Sequence, residues 1–264
     1  MSTVGASRGL TAMALGVYAF LFAPVFVVVT ISFSADNFII FPPSGWSLRW
    51  YERLFAHRQL MAALQLSLKL AAIVAMLSLL LGVPAALALT KGSFRGREAL
   101  KNFFLAPLML PTLVIGLALL LAFQPFKLVA TLPGLVLAHL SVTLPFVVRM
   151  MTTTFSTLPD DIEAAAATLG ASPWRVFLRV TLPLAAPGLA ASGALAFLLS
   201  FDETVISLFV SGPRAATLPV EMVRYVEGRT DPLVAALSAI LVVGTVAIVI
   251  AVERLVGLAR AVGR

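Results

Sequence analysis

The chain divides into long apolar blocks separated by short polar breaks. The blocks lie at about 10–33, 60–90, 102–126, 132–151, 184–207 and 232–256, each near the 20 residues a helix needs to cross the hydrocarbon core. The pattern predicts an all-α polytopic membrane protein: one transmembrane domain, 1–264, with six spans. The second block is long for a simple span, so it is expected to tilt or to begin outside the hydrocarbon. The first block exceeds the apolar core of a signal peptide, about 7–15 residues, and only Arg8 supplies charge before it, so it is expected to remain as a span.

Composition agrees with the pattern. The chain is 60% hydrophobic and 12% charged, with a mean hydropathy of +1.03. A soluble domain is about half apolar and a quarter charged. The excess apolar surface must face lipid or other spans. The net charge of +7 could suggest nucleic acid, but no basic run or aromatic-basic interleaving accompanies it. Retention of Lys and Arg on cytoplasmic loops explains the balance better. No cysteine is present, so disulfides and thiol chemistry are excluded.

Basic residues also suggest the topology. With the N-terminus inside, the short loop 91–101 holds Lys91, Arg95, Arg97 and Lys101, whereas the short loop 127–131 holds Lys127 alone. Arg8, Arg149, Arg175, Arg179, Arg254, Arg260 and Arg264 also fall inside. Arg49, Arg53, Arg58, Arg214, Arg224 and Arg229 fall outside. The positive-inside bias then puts both termini in the cytoplasm.

Residues 152–183, TTTFSTLPDDIEAAAATLGASPWRVFLRVTLP, join the fourth and fifth spans. Pro159 suits a helix start, and Asp160, Asp161 and Glu163 favour the positive end of a helix dipole. Ala164–Ala167 is a strong helix-forming run, and Gly170 can take the left-handed conformation that ends a helix. Ser172 suits an N-cap and Pro173 a first helical position. Leu182-Pro183 is expected to stop the second helix. Local chemistry alone fits equally a structured connection or a rigid helix–corner–helix knob at the cytoplasmic surface.

Glu163-Ala164-Ala165, then Gly170-Ala171, then Leu182-Pro183 resemble the EAA loop of ABC importer permeases. Phe177 and Leu178 occupy the apolar places between the Gly and the LP. The motif spans about 25 residues, and the six-span layout agrees with it. The resemblance implies a type I importer fold in which the helix carrying EAA is a coupling helix seated on an ATP-binding subunit. Small residues (Ala164, Ala165, Ala166) would allow close docking, Glu163 would set registry, and Gly170 would shape the corner. It also implies an external solute-binding protein, a separate ATPase dimer and alternating access driven by that dimer. No G-x-x-x-x-G-K-[ST] occurs in the chain. No cofactor is therefore expected here, ATP and Mg²⁺ being held by the partner, and the chain is expected to be a non-catalytic subunit.

The run from Leu199 to Pro213, LSFDETVISLFVSGP, followed by Thr217-Leu218-Pro219, is similar to the polyamine branch of these permeases. It is most similar to the second permease of spermidine/putrescine systems, with Asp-Glu where that branch shows an acidic pair. The branch implies a heterodimeric pore with a homologous permease chain and a small amine as cargo. Other amines, amino-acid-like solutes and aminophosphonates are the alternatives.

Asp202 and Glu203 fall late in the fifth span, where a carboxylate costs several kcal/mol unless it meets water or a partner. They could line a cation path, or they could be structural, as a helix end at the interface or as a salt bridge to Lys69 or an Arg. Ser200 beside them and His139 in the fourth span are further path candidates. A histidine there is more often a hydrogen-bonded packing residue. Lys69 can snorkel to the outer headgroups, and Arg149 fits an interfacial anchor. Trp46, Trp50 and Tyr51 fit an outer aromatic belt, a surface helix or a contact with the binding protein. Pro107, Pro111, Pro125, Pro133 and Pro145 are expected to break or kink spans three and four. No cluster has metal-ligand spacing. Two rival classes remain, an ATP-independent secondary transporter and an intramembrane hydrolase. The docking segment opposes the first, and nothing orders a nucleophile and base for the second.

Overall fold

The computed structural model describes residues 8–212 and 215–262. Side chains of Arg8, Asp160, Val252 and residues 255–262 are outside the described set. The expectations placed on the side chains of Arg8, Asp160 and Arg260, and on Pro213, Arg214 and Arg264, therefore lie outside the described residues.

Among the described residues thirteen α-helices follow one another: α1 (Arg8–Ser32), α2 (Arg49–Ala56), α3 (Arg58–Lys91), α4 (Arg97–Leu105), α5 (Thr112–Phe123), α6 (Leu132–Ser156), α7 (Asp160–Thr168), α8 (Pro173–Val176), α9 (Leu182–Leu184), α10 (Ala186–Asp202), α11 (Val205–Val210), α12 (Leu218–Gly228) and α13 (Leu233–Val262). Among the described residues the only β pairing is two isolated bridges, Ser34–Trp46 and Gly212–Ala215.

Among the described residues four helices have segments long and apolar enough to cross a membrane: Gly9–Ser32, Arg58–Lys91, Leu132–Ser156 and Leu233–Ala251. The two remaining blocks are broken. Arg97–Met109 and Thr112–Phe123 meet at 105°, and Pro173–Leu184 and Ala186–Asp202 meet at 70°. Counting each bent pair as one span gives six.

The breaks have local causes, and they correct several expectations. Leu110 and Pro111 are extended (ψ 140° and 133°), because a proline pushes the residue before it out of the helical region. Pro107 lies in the 3₁₀ turn Ala106–Met109 that leads into the bend. The other prolines do not break helices. Pro133 sits in the first turn of α6, where no N–H is missed, Pro145 lies within the continuous α6, and Pro125 follows α5. The fifth block is interrupted at Ala185 and again at Glu203-Thr204, so 184–207 is not one helix.

Leu182-Pro183 does not stop the helix that starts at Pro173. Residues Phe177–Thr181 form a π turn, in which the Leu182 N–H donates to Phe177 O. A proline ring clashes with the carbonyl four residues back, here that of Arg179. A widened turn just before Pro183 relieves that clash and carries the chain on to Leu184.

Chain contacts gather into two compact units, residues 62–221 with 245–264 and residues 1–61 with 222–244. In the first unit two apolar clusters form the core. One joins Leu70 and Val74 of α3 to Ile115, Leu135, Ala138, Val142, Ile206 and Val210. The other joins Ala75, Val83 and Ala86 to Val147, Met151, Phe155 and Ala196. Two glycines lie at close helix approaches. A Cβ on Gly188 would lie 2.3 Å from Thr154 Oγ1, and one on Gly116 would lie 2.6 Å from Phe209 Cδ2.

In the second unit α1 is apolar and exposed along most of its length. Beyond it, the Asp36 carboxylate accepts from Ser34 Oγ (2.9 Å), from the Ser44 N–H (2.9 Å) and from Ser44 Oγ. Those bonds, the Ser44 hydroxyl foremost, hold Asp36 below its ordinary pKa, and the Arg49 charge adds to them. Trp50 is buried, with the Arg49 and Arg53 guanidinia 4.8 Å and 4.9 Å from its ring. It is therefore an anchor of the surface helix α2 and not a member of a lipid-facing belt, whereas Trp46 is exposed. Tyr225 OH donates to the Asp231 carboxylate, and its ring meets His57 edge-on at 5.6 Å.

Candidate functional site

The connection between α6 and α10 is a helix–corner–helix. Pro159 occupies the N-cap of α7 rather than its first residue, and Asp160 begins the helix. At the other end Gly170 has φ +83°. Its N–H donates to Ala167 O (2.9 Å), and the Ala171 N–H donates to Ala166 O (3.2 Å). This pair of bonds is a Schellman closure, which needs the left-handed residue that glycine supplies without strain. Pro173 then opens α8. Ser172 stands at its N-cap position, but its side chain makes no cap bond.

Outward from this corner the surface is apolar and small. Ala164, Ala165 and Gly170 are exposed, and Leu169 and Trp174 project with 88% and 68% of their surface free. An apolar knob of this kind needs a partner. Leu169 and Trp174 were legible as apolar residues bracketing a Gly-Pro corner, but the EAA spacing alone does not single them out. Ala171, Leu182 and Pro183 lie on the inward return of the chain, where Ala171 and Leu182 are half-buried.

Glu163 does not face outward with the alanines. Its Oε2 meets Lys91 Nζ at 2.5 Å and its Oε1 accepts from Thr181 Oγ1 at 2.8 Å. The carboxylate therefore binds its own chain. A cleft of about 450 Å³ opens beside it, lined by Leu87, Lys91, Ala164, Ala167 and Phe177 among others.

The intramembrane candidates fall into two groups. His139 is fully buried, with Nδ1 2.9 Å from Ser200 Oγ and Nε2 3.0 Å from Ser207 Oγ. Ser207 Oγ donates to Glu203 O at 2.7 Å, so its lone pairs must accept from Nε2–H. His139 is thus the Nε2–H tautomer and accepts from Ser200 through Nδ1. Ser78 and Thr143 extend the network, Thr143 Oγ1 donating to His139 O. His139 and Ser200 thus have hydrogen-bond partners within the packing of α6, α10 and α11.

Asp202 and Glu203 separate at the helix break. Asp202 is the last residue of α10 and is exposed. Glu203 has left the helix (φ −67°, ψ 101°) and its Oε1 accepts from the Ile206 N–H at 2.9 Å, capping α11. Among the described residues neither carboxylate forms an ion pair, so a salt bridge to Lys69 is not made. No group of three or more metal-ligating side chains occurs among the described residues.

Residues 78–260 match the family described as the inner membrane component of binding-protein-dependent transport systems. The putrescine transport system permease protein PotI of Escherichia coli K12 is 37% identical over 88% of this chain and 84% of its own. The spermidine/putrescine transport system permease protein PotC of Haemophilus influenzae is 33% identical over 89% and 91%. The molybdenum transport system permease protein ModB of Mycobacterium bovis is 40% identical over 72% and 77%. A solved bacterial ABC transporter involved in import of the acidic polysaccharide alginate superposes with a TM-score of 0.69 at 16% identity, over 96% of this chain and 98% of that one. A family match over more than half the chain, the bent and unbent spans and the helix–corner–helix connection agree: this chain belongs to the binding-protein-dependent transport system inner membrane components, the multi-pass, non-catalytic permease subunits of ATP-driven importers that work with a separate ATPase and a solute-binding protein.

Proposed function

We propose that this permease imports a polyamine-type cation of the spermidine or putrescine class, and that Asp202 faces the path it follows. The observation that carries this reading is the exposed Asp202 carboxylate at a break between two apolar helices, with no cationic partner among the described residues. A charge in that position is costly unless it meets water or a cationic solute. The similarity to PotI and PotC supports the same cargo. His139, Ser200 and Ser207 act as positioning residues that hold the break, and Glu203 caps the helix that follows it.

The remaining assembly follows from the same reading. Both termini are cytoplasmic, and the whole chain serves as one permease domain beside a homologous second permease. The surface of Ala164, Ala165, Leu169, Gly170 and Trp174 seats a partner ATPase dimer, which holds ATP and Mg²⁺. A solute-binding protein docks on the opposite side.

The test is uptake of labelled spermidine and putrescine into proteoliposomes containing the full complex, with Asp202→Asn and Glu203→Gln beside the parent. Gln can keep the acceptor that Glu203 offers to Ile206 while losing the charge. ATP-dependent polyamine uptake that collapses in Asp202→Asn supports the reading. The ModB similarity gives the competing cargo: uptake of molybdate and not of polyamines would reject it, because a free carboxylate repels an oxyanion.

A further inference from the structure

The α7 helix has nine residues, too few for a helix to be stable alone in water. Its outward surface is free, so its position is fixed only by what it touches on the inward side. Glu163 supplies contacts to two elements far apart in the sequence. Lys91 ends α3, 72 residues earlier, and Thr181 ends the π turn, 18 residues later. Each carboxylate oxygen has its own donor. Thr181 is 3% exposed, and the Lys91 and Glu163 side chains are 26% and 19% exposed. A charge-assisted pair in such a shielded setting is screened less than one on the open surface.

We propose that Lys91 and Thr181 are positioning residues that latch Glu163, so that α7 moves as one body with the end of α3 and with the chain leading into α10. Without the latch α7 would pass motion on through its covalent neighbours and its packing against α8 and the π turn. With it, closure of the ATPase pulls directly on the long α3, whose other end reaches Arg58. Glu163 then transmits force rather than setting registry with the partner. This inference rests on the reading of α7 as the ATPase-docking helix.

The experiment uses the complete importer in proteoliposomes, with Lys91→Met, Thr181→Val and the exchange Lys91→Glu/Glu163→Lys. Two quantities are read: co-purification of the ATPase, and solute transported per ATP hydrolysed. The single variants keep the ATPase bound but lower transport per ATP by about fivefold or more, the lower end of typical coupling between sites. The exchange recovers most of the ratio, since a lysine at 163 can still pair with a carboxylate at 91 and donate to the Thr181 hydroxyl. A wild-type ratio in both single variants overturns the latch, and so does loss of the ATPase from Lys91→Met, which would make that residue part of the docking surface. Failure of the docking reading itself shows separately: Ala165→Trp, on the outward surface, would then leave ATPase binding unchanged.

Discussion

His139 Nε2 donates to Ser207 Oγ across 3.0 Å and so ties α6 to the short helix α11, just beyond the break at Glu203-Thr204. The bond belongs to a chain in which each hydroxyl has one direction. Ser200 donates to Nδ1, Nε2 donates to Ser207, and Ser207 donates to Glu203 O. The backbone at the break is therefore held by a side chain of another span.

Removing the imidazole strands the buried Ser200 hydroxyl, while Ser207 keeps its bond to Glu203 O. His139→Leu is expected to destabilise the protein by about 1–3 kcal/mol for the group left without its partner. Thermal unfolding in detergent measures this, and His139→Gln, which keeps a donor and an acceptor, should recover part of the loss. An unchanged melting temperature in His139→Leu, with uptake altered, would return His139 to the substrate path.

The close approach of α10 to α6 gives a second test. A Cβ at Gly188 would meet Thr154 Oγ1, Cγ2 and Cβ at 2.3, 2.5 and 2.9 Å. Thr154 sits within α6 and donates to Met150 O, so it cannot simply turn away. Gly188→Ala is expected to cost about 1–3 kcal/mol through overpacking. Thr154→Ala in the same chain removes two of the three clashing atoms and should restore much of it, which a double-mutant cycle on thermal stability would show.

The straight spans were legible because their signal is local. The apolar blocks at 10–33, 60–90, 132–151 and 232–256 correspond to α1, α3, α6 and α13, with ends shifted by a turn or two. The corner was legible too, since Gly170 is required by backbone conformation alone. What escaped depends on distant partners. Nothing near Glu163 tells that Lys91 lies against it, and nothing near 203–204 marks a break, because neither Pro nor Gly stands there. Side chains make that break: Glu203 caps α11 and Ser207 bonds back to its carbonyl. Pro183 misled for the opposite reason, since a widened turn accommodated it.

The Glu203 cap separates geometry from charge. Glu203→Ala removes the acceptor for the Ile206 N–H and should cost about 0.5–2 kcal/mol, the usual range for loss of a helix cap. Glu203→Gln should cost much less. Thermal stability in detergent distinguishes them, and equal losses in both would mean that the charge, not the cap bond, stabilises the break.

At the corner, Gly170 has open space around a would-be Cβ, so only its backbone conformation resists substitution. Gly170→Val should cost about 1–2 kcal/mol from the left-handed conformation, plus crowding by the branched side chain. Gly170→Asn should be tolerated better, since asparagine visits that region more readily. The observable is the fraction of ATPase retained on purification: it should fall in the order Gly, Asn, Val if the corner shapes a docking surface. Equal retention in all three would remove the corner from docking.

Asp36 gives a pH dependence whose sign is fixed by its hydrogen bonds. The Ser44 hydroxyl and N–H, then Ser34, favour its ionised form and lower its pKa from the ordinary 3.8. A group lowered on folding contributes stability that is complete above the unfolded value and lost as pH falls through the native one. The turn between α1 and α2 should therefore keep its protection at neutral pH and lose it only as pH falls through a native value lower than the ordinary 3.8. Hydrogen exchange at the Ser44 amide, which donates to the carboxylate, reads this directly. Asp36→Asn should expose that amide already at neutral pH and flatten the dependence. If Ser44 exchange, corrected for intrinsic rate, stays equally protected from neutral pH to well below 3.8 in the parent chain, where the carboxyl is protonated, the carboxylate does not hold the turn.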